Sequence, residues 1–393
     1  MNFLLFSSLF FLFYIYGGYL LLLRFVYSLT YVMKKKIIFK NNIPIDRQDF
    51  PSVTVFFSAY NEEEKVESRL LNLTQNGYPV DLLEIIVVSD GSKDRTAQLA
   101  KAFADKNPEW RIRVIEIETN RGRAYAQNMV AKESQSEILV TTDAETKFKS
   151  GMLHELVKPF ANPKVGVVGA VVLYLNENDS PIGNSYNTYR SLERKLRNLE
   201  SKLGILPKTD GPCTAYRKYI WEPIEDFEDV DQVISLVARK KGYLTIHADT
   251  AECLDRSNTN IQQELLQRSR MTRKALFSTF ARWRWHDVLN HPYFSFALFS
   301  HKIIRFFSPL FFLTFIISIF FLSIKLDFRI LISVIAFTFF LILVFKWKLS
   351  NLFDFIFKRA LSLLIAQVGF AMGIYQWITG NKTGQYTPTR KAL

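Results

Sequence analysis

Carboxylates stand just beyond three apolar runs of this chain. Asn61 and Glu62 follow Val-Thr-Val-Phe-Phe-Ser-Ala-Tyr at 53–60, Asp90 follows Ile-Ile-Val-Val-Ser at 85–89, and Asp143 and Glu145 follow Ile-Leu-Val-Thr-Thr at 138–142. Acids gathered in one crevice would repel a phosphate unless a divalent cation stood between them. Mg²⁺ and Mn²⁺ are hard ions that take such oxygen donors. Asp143 and Glu145 are two apart, so in an extended segment their side chains share a face. A further acidic group, Glu228 and Asp229, precedes a stretch in which Val233, Ile234 and Val237 recur at helical spacing. By position alone, these last acids describe the start of a helix.

A sheet would bring the first groups together. From 51 to about 252, short β-branched runs alternate with amphipathic stretches: strands over 53–59, 85–89, 113–117 and 138–142, helices over 62–75, 96–104 and 124–132. Such alternation predicts an α/β fold with a parallel, doubly wound sheet, whose ligands bind beyond the carboxyl ends of its strands. A further apolar run covers 165–175, and the polar stretch 184–202 reads as a charged surface or interface helix. Glycine-rich dinucleotide and P-loop fingerprints are absent, which argues against a dehydrogenase or a kinase. His154, His247, His286, His291 and His301 form no ligand spacing and read as surface, core or interfacial residues. Cys213 and Cys253 are too few and too far apart for a disulfide framework or a zinc site.

The apolar residues concentrate at the two ends. Residues 3–23 carry no charge and reach the roughly 20 residues that cross a bilayer. Lacking a basic n-region and a cleavage site, they read as an uncleaved signal anchor. Lys34, Lys35 and Lys36 then place the following region in the cytoplasm, facing the inner membrane. Stretches 308–324 and 330–345 are further spans, while 360–378, with Gln367, Gly369 and Gly373, is either a span or a re-entrant or interfacial helix. Residues 261–286 interleave Arg268, Arg270, Arg273, Lys274, Arg282 and Arg284 with leucines, phenylalanines, Trp283 and Trp285, a pattern expected to lie in the membrane interface. The net charge of +13 resides largely beside these segments, so membrane lipid is an expected partner and nucleic acid is not. The organisation expected is an anchor at 1–33, a cytoplasmic domain at 48–255, interfacial helices at 256–292, a carboxyl-terminal bundle at 298–380 and a basic tail at 381–393.

In order and spacing, these motifs resemble the family 2 glycosyltransferases of the GT-A fold, above all the membrane-integrated synthases of polysaccharides and glycolipids. Phe57-Ser-Ala-Tyr-Asn-Glu-Glu is similar to the family's opening nucleotide motif, Val87-Val-Ser-Asp-Gly-Ser-Lys-Asp to its second, Thr142-Asp-Ala-Glu-Thr to its D-x-D region, and Phe227-Glu-Asp-Val-Asp to its acceptor-side acidic motif. Gly211-Pro-Cys-Thr-Ala-Tyr-Arg resembles the acceptor-side loop, and Gln267-Arg-Ser-Arg-Met stands where many members have Q-x-x-R-W.

The resemblance implies a GT-A domain with a Rossmann-like mixed sheet. It implies inverting transfer of a sugar from a UDP-sugar donor to a glycan or lipid-linked acceptor at the membrane, in the synthesis of surface polysaccharide or glycolipid. Asp90 would bond the uracil or ribose, with Ala59, Tyr60 and Glu62 around the nucleoside. Asp143 would hold Mg²⁺ or Mn²⁺, and Glu145, one methylene longer than the usual residue, would bind the metal directly, through water or not at all. Arg123, replacing the lysine of an Asn-x-Gly-Lys element, would pair with a phosphate or with Asp143, or lie in solvent. Asp229 would be the general base, beside Glu228, with Gln267 and Arg270 at the acceptor and pyrophosphate. Met271 in place of the tryptophan counts against processive synthesis, leaving single-sugar transfer to a lipid carrier as the alternative. A catalytically inactive UDP-sugar-binding assembly subunit is the reading from another class. A polysaccharide-export partner or a homo-oligomer is the expected company if polymer leaves through this membrane region.

Overall fold

Eight strands form one mixed sheet in a computed structural model that describes residues 2–32, 50–175, 181–256, 260–324 and 350–383. They are β1 Val53–Ala59, β2 Leu83–Asp90, β3 Arg111–Ile117, β4 Ile138–Thr142, β5 Lys147–Phe148, β6 Val165–Tyr174, β7 Cys213–Arg217 and β8 Leu244–Asp255, ordered β3-β2-β1-β4-β7-β6-β8-β5. The first four strands pair in parallel, as their alternation with helices predicts. β7 runs antiparallel to both β4 and β6, and β8 runs parallel to β6, so that side of the sheet is mixed, as the family resemblance implies. Because β1, β2 and β4 point the same way, Ala59, Asp90 and Thr142 finish at one edge.

Both faces of the sheet are covered, which is why its strands read as nearly continuous apolar runs. Val53, Val55 and Phe57 pack with Leu70, Leu73 and Leu153 on one face, while Phe56 joins Ile86, Val88, Val130, Tyr216 and Ile234 on the other. The helix expected from residue 62 begins later, as Val66–Thr74. The backbone N–H of Glu62 bonds Thr96 Oγ1 at 2.9 Å and that of Glu63 bonds Asp94 Oδ2 at 3.1 Å. Asn61 takes a positive φ of 54°. These ties hold the segment in a turn.

The described residues include two helices long and apolar enough to cross a membrane, Asn2–Val32 and Ala360–Ile378, and a bent pair, Pro292–Phe306 and Ser308–Ser323, that makes a third if it is one span. The stretch 330–345, Lys34 to Lys36 and the tail beyond 383 lie outside the described residues. Gln367 links these segments: its Nε2 donates to Tyr16 Oη at 2.7 Å and its Oε1 accepts from Ser308 Oγ at 2.7 Å. Such side-chain bonds join helices where hydrophobic association is weak. Gly369 and Gly373 serve close packing, since a Cβ on Gly373 would stand 2.6 Å from Thr272 Cβ and one on Gly369 would stand 2.8 Å from Arg268 Cβ.

The basic stretch forms a helix, Ile261–Arg282, with Ser269, Thr272, Arg273 and Leu276 buried. Its tryptophans divide. Trp283 is 5% exposed and packs with Leu236, Phe294 and Leu298, donating Nε1–H to Ser295 Oγ, whereas Trp285 is 76% exposed. The polar stretch near 190 is the helix Pro181–Lys202, and it is a junction more than a surface. Its Glu200 accepts from Tyr19 Oη at 2.9 Å and lies 2.9 Å from His301 Nδ1, while Glu193 lies 3.0 Å from His301 Nε2.

Candidate active site

The loops after β1 and β2 interlock before any ligand is considered. Asn61 Oδ1 accepts the N–H of Lys93 at 2.8 Å, and Gly91 at φ 74° lets the chain turn beneath the 119–120 backbone. A Cβ at Gly91 would lie 2.5 Å from Asn120 N, so this turn admits only glycine. Asp90, buried at the tip of β2, accepts the N–H groups of Arg121 and Gly122, each at 2.7 Å. Its first task is therefore to hold the Asn120–Arg123 turn, while it still faces the cavity beyond.

Arg123 leaves that turn and reaches across the edge of the sheet. Its Nη2 donates to Gly211 O at 2.7 Å and to Thr141 Oγ1 at 3.3 Å. The same guanidinium stands 3.6 Å from Asp143 Oδ1 and 3.5 Å from Asp231 Oδ1, and these carboxylates hold it charged against the penalty of burial. The contact with Asp143 considered from sequence is present. Below β4, buried Arg69 donates to Thr142 Oγ1 at 2.9 Å, and Thr142 Oγ1 donates to Pro212 O at 2.9 Å, which fixes the strand end that carries Asp143. Lys65 bonds Glu62 at 2.9 Å and lies 3.6 Å from Glu145.

One cavity of about 770 Å³ is lined by Ala59, Tyr60, Glu62, Asp90, Arg123, Asp143, Glu145, Glu228, Asp229, Gln267 and Arg270, which are all the site residues singled out from sequence. The side chain of Asp143 is 38% exposed, so its carboxylate is within reach of a ligand. Among the described residues no group of three or more metal-type side chains forms a closed metal cage. Asp143 and Glu145 instead offer an oxygen-only pair beside an open volume, a donor set that fits Mg²⁺ or Mn²⁺ shared with a phosphate ligand.

The acids at the start of the helix Val230–Lys240 have unequal surroundings. Asp229 is its N-cap, accepting the N–H of Gln232 at 3.3 Å while its other oxygen is bonded by Lys208 Nζ. Burial alone would raise its pKa, but the Lys208 charge and these bonds hold it below the usual carboxylate range. Asp231 is shifted the other way, chiefly by burial, with the charges of Asp229 and Asp143 adding to the rise against Arg123 and Lys208. Glu228 lies in the cavity wall with both oxygens held by Arg282.

Asp231, Lys208 and His247 also line the cavity and were not singled out from sequence. Asp231 carried a signal, the second acid of Glu-Asp-Val-Asp. Lys208 lies in a loop with no motif. His247, placed with the other histidines as surface, core or interfacial, is buried with neither ring nitrogen partnered among the described residues, and burial pushes its pKa down to about 4.

Residues 54–224 match the family model described as Glycosyl transferase family 2. The chain is 27% identical over 241 residues to a poly-beta-1,6-N-acetyl-D-glucosamine synthase of Staphylococcus epidermidis, covering 60% of this chain and 55% of the relative. It is 26% identical over 261 residues to the protein of the same name from Staphylococcus aureus strain COL, covering 64% and 60%. The match thus spans little more than half the length of these relatives. Among solved structures, a mannosyltransferase from Pyrobaculum calidifontis in complex with GDP-Man and Mn²⁺ superposes with a TM-score of 0.71 at 20% identity, over 96% of this chain and 99% of that one, a likeness of fold.

Proposed function

We propose that this chain, whose residues 54–224 match the model described as Glycosyl transferase family 2, moves a sugar, with inversion, from a nucleoside-diphosphate sugar to a glycan or lipid-linked acceptor at the cytoplasmic face of the inner membrane. The observation that carries this reading is the single cavity onto which the strand-end acids, Arg123, the acidic motif at 228–231 and the Gln267 and Arg270 side chains all open. A UDP-sugar is the preferred donor. The names of the staphylococcal relatives support a polysaccharide product containing N-acetylglucosamine, while the GDP-Man of the archaeal structure keeps the choice of base a matter for experiment.

In this reading Tyr60, Glu62 and Asp90, which line the cavity, would take the nucleoside, and Asp143 with Glu145 the diphosphate. A divalent ion held there would neutralise charge on the departing diphosphate. Arg123 supports the same end through its fixed bond to Gly211 O. Gln267 and Arg270 also line the cavity and would take the acceptor or the pyrophosphate. The acceptor hydroxyl gives its proton to the acidic motif, in which Asp229 holds the family's general-base position. Met271, 45% exposed in the cavity wall, offers no indole on which a growing sugar chain could stack, so single addition to a lipid carrier is the alternative to polysaccharide synthesis.

The test is turnover by the purified full-length protein in detergent, with Mg²⁺ or Mn²⁺, a panel of UDP- and GDP-sugars and membrane extract as acceptor source. Release of nucleoside diphosphate from one donor is expected. Silence across the panel, with nucleotide binding retained, would favour a binding subunit.

A further inference from the structure

Lys302 brings an ammonium group to the cavity from the bent helix pair. It lies on the π-helical turn Phe299–Ile303, keeps 11% of its side chain exposed, and lines the same cavity as the strand-end acids. Among the described residues its side-chain contacts are Glu193 Oε2 at 3.4 Å and His301 Nε2 at 3.3 Å. Glu193 is already heavily engaged: Arg305 bonds its Oε1, while its Oε2 also faces Arg197 at 3.3 Å and His301 Nε2 at 3.0 Å. Lys302 therefore has the longest contact to a carboxylate shared among four side chains. An ammonium largely removed from water needs a counter-charge of its own, and the cavity is where one can enter.

The surroundings of Lys302 select the kind of anion. The charges of Arg197, Arg305 and Lys208 all act on Lys302, and each of these side chains also lines the cavity, an arrangement suited to the several oxygens of a phosphate. Phe306, at the foot of the bent pair, and Phe370, in the span Ala360–Ile378, line the cavity with ring centroids 5.6 Å apart. Apolar walls supplied by two membrane-type segments suit a hydrocarbon chain. We propose that Lys302, with Arg305 and Arg197 beside it, binds the phosphate of a lipid-linked acceptor whose hydrocarbon chain lies along Phe306 and Phe370. This rests on the transferase reading and narrows its acceptor to a phosphate-bearing lipid. No bond to that phosphate forms or breaks. The attacking group is a hydroxyl elsewhere on the acceptor, and Lys208, which bonds Asp229, joins the phosphate subsite to the general-base position.

Free phosphate offers the same oxygens as a lipid phosphate, so the test separates the two sources and needs no sugar donor. The full-length protein in detergent is titrated in turn with a long-chain polyprenyl phosphate, the corresponding polyprenol, phosphatidylglycerol and inorganic phosphate, and binding is read from the rise in unfolding temperature. Polyprenyl phosphate should bind at least about tenfold more tightly than the other three, as expected for a charge-assisted bond that they lack or cannot combine with the chain. Lys302→Met should lose about tenfold in affinity for it, and Lys302→Arg should keep most of it. In the Met variant Glu193 retains Arg197, His301 and Arg305, so no buried carboxylate is stranded. Equal binding of the polyprenol, of phosphatidylglycerol or of inorganic phosphate overturns the proposal, as does wild-type affinity in Lys302→Met. The comparison of phosphate with alcohol uses the wild-type protein and decides the matter even if that variant does not fold. A protein that binds polyprenyl phosphate selectively but releases no nucleoside diphosphate from any sugar donor would keep the phosphate subsite and bring down the transferase reading instead.

Discussion

Arg282 holds Glu228 by two parallel hydrogen bonds, Nε to Oε1 at 2.7 Å and Nη2 to Oε2 at 2.6 Å, on a carboxylate that is 1% exposed. The pair joins the end of the basic helix, which carries Gln267 and Arg270, to the acidic motif. Arg282→Met should destabilise the protein by about 1.5–3 kcal/mol, the worth of a charged hydrogen bond together with the desolvation left behind. Thermal unfolding in detergent checks this. The double variant Glu228→Gln with Arg282→Met should recover part of the loss, because no buried charge is then left alone.

Asp143 is the better-exposed oxygen donor of the Asp143 and Glu145 pair. Asp143→Asn should cut turnover by about 100-fold or more, a loss in the range found when a group stabilising transition-state charge is removed. Glu145→Gln should raise the Mn²⁺ concentration needed for half-maximal rate if that carboxylate contributes to the metal, and leave it unchanged if Glu145 serves only Lys65. Metal titrations of both variants, with chelator as the zero point, distinguish these results.

His247 imposes a pH dependence on stability. Its pKa falls from 6.5 to about 4 on folding, chiefly by burial, so between those values the unfolded chain binds more protons than the folded one. Stability from this group is therefore present above pH 6.5 and lost as pH falls toward 4, with a slope of up to about 1.4 kcal/mol per pH unit. His247→Gln should flatten that segment of the profile. A variant that keeps the full slope would assign it to other groups.

Gly373 bears on the site from a distance. Gly373→Val places a side chain where even a Cβ lies 2.6 Å from Thr272 and 2.7 Å from Ser269 O, on the helix that carries Gln267 and Arg270. The helices must part, since packed interiors absorb added volume poorly. The expected result is a protein that still enters the membrane and binds nucleotide but transfers sugar at least about tenfold more slowly. Unchanged transfer would show that the Gln267 and Arg270 wall tolerates displacement.

The parts of the site that could be read in the sequence are those fixed by local pattern. Asp90 and Asp143 stand out because parallel strands end in loops at one edge, and Asp229 because Phe227-Glu-Asp-Val-Asp resembles a known acidic motif. The partners of these groups could not be read, since they come from remote segments. Arg282 meets Glu228 across 54 residues and Lys208 meets Asp229 across 21. The antiparallel insertion of β7 between β4 and β6 likewise leaves no trace in periodicity, because direction is not encoded in the alternation of apolar residues. Trp283 misled for a related reason: a tryptophan suited to lipid headgroups is equally suited to a core with a hydroxyl at hand, and Ser295 supplies one.

The contact of Tyr19 with Glu200, and of Glu200 with His301, means that the first helix is more than a tether. A protein shortened to begin after that helix would lose the Tyr19 hydroxyl that donates to this buried carboxylate. Studies of an excised, water-soluble fragment would then describe a molecule injured at its own seam, and the enzyme is best purified whole.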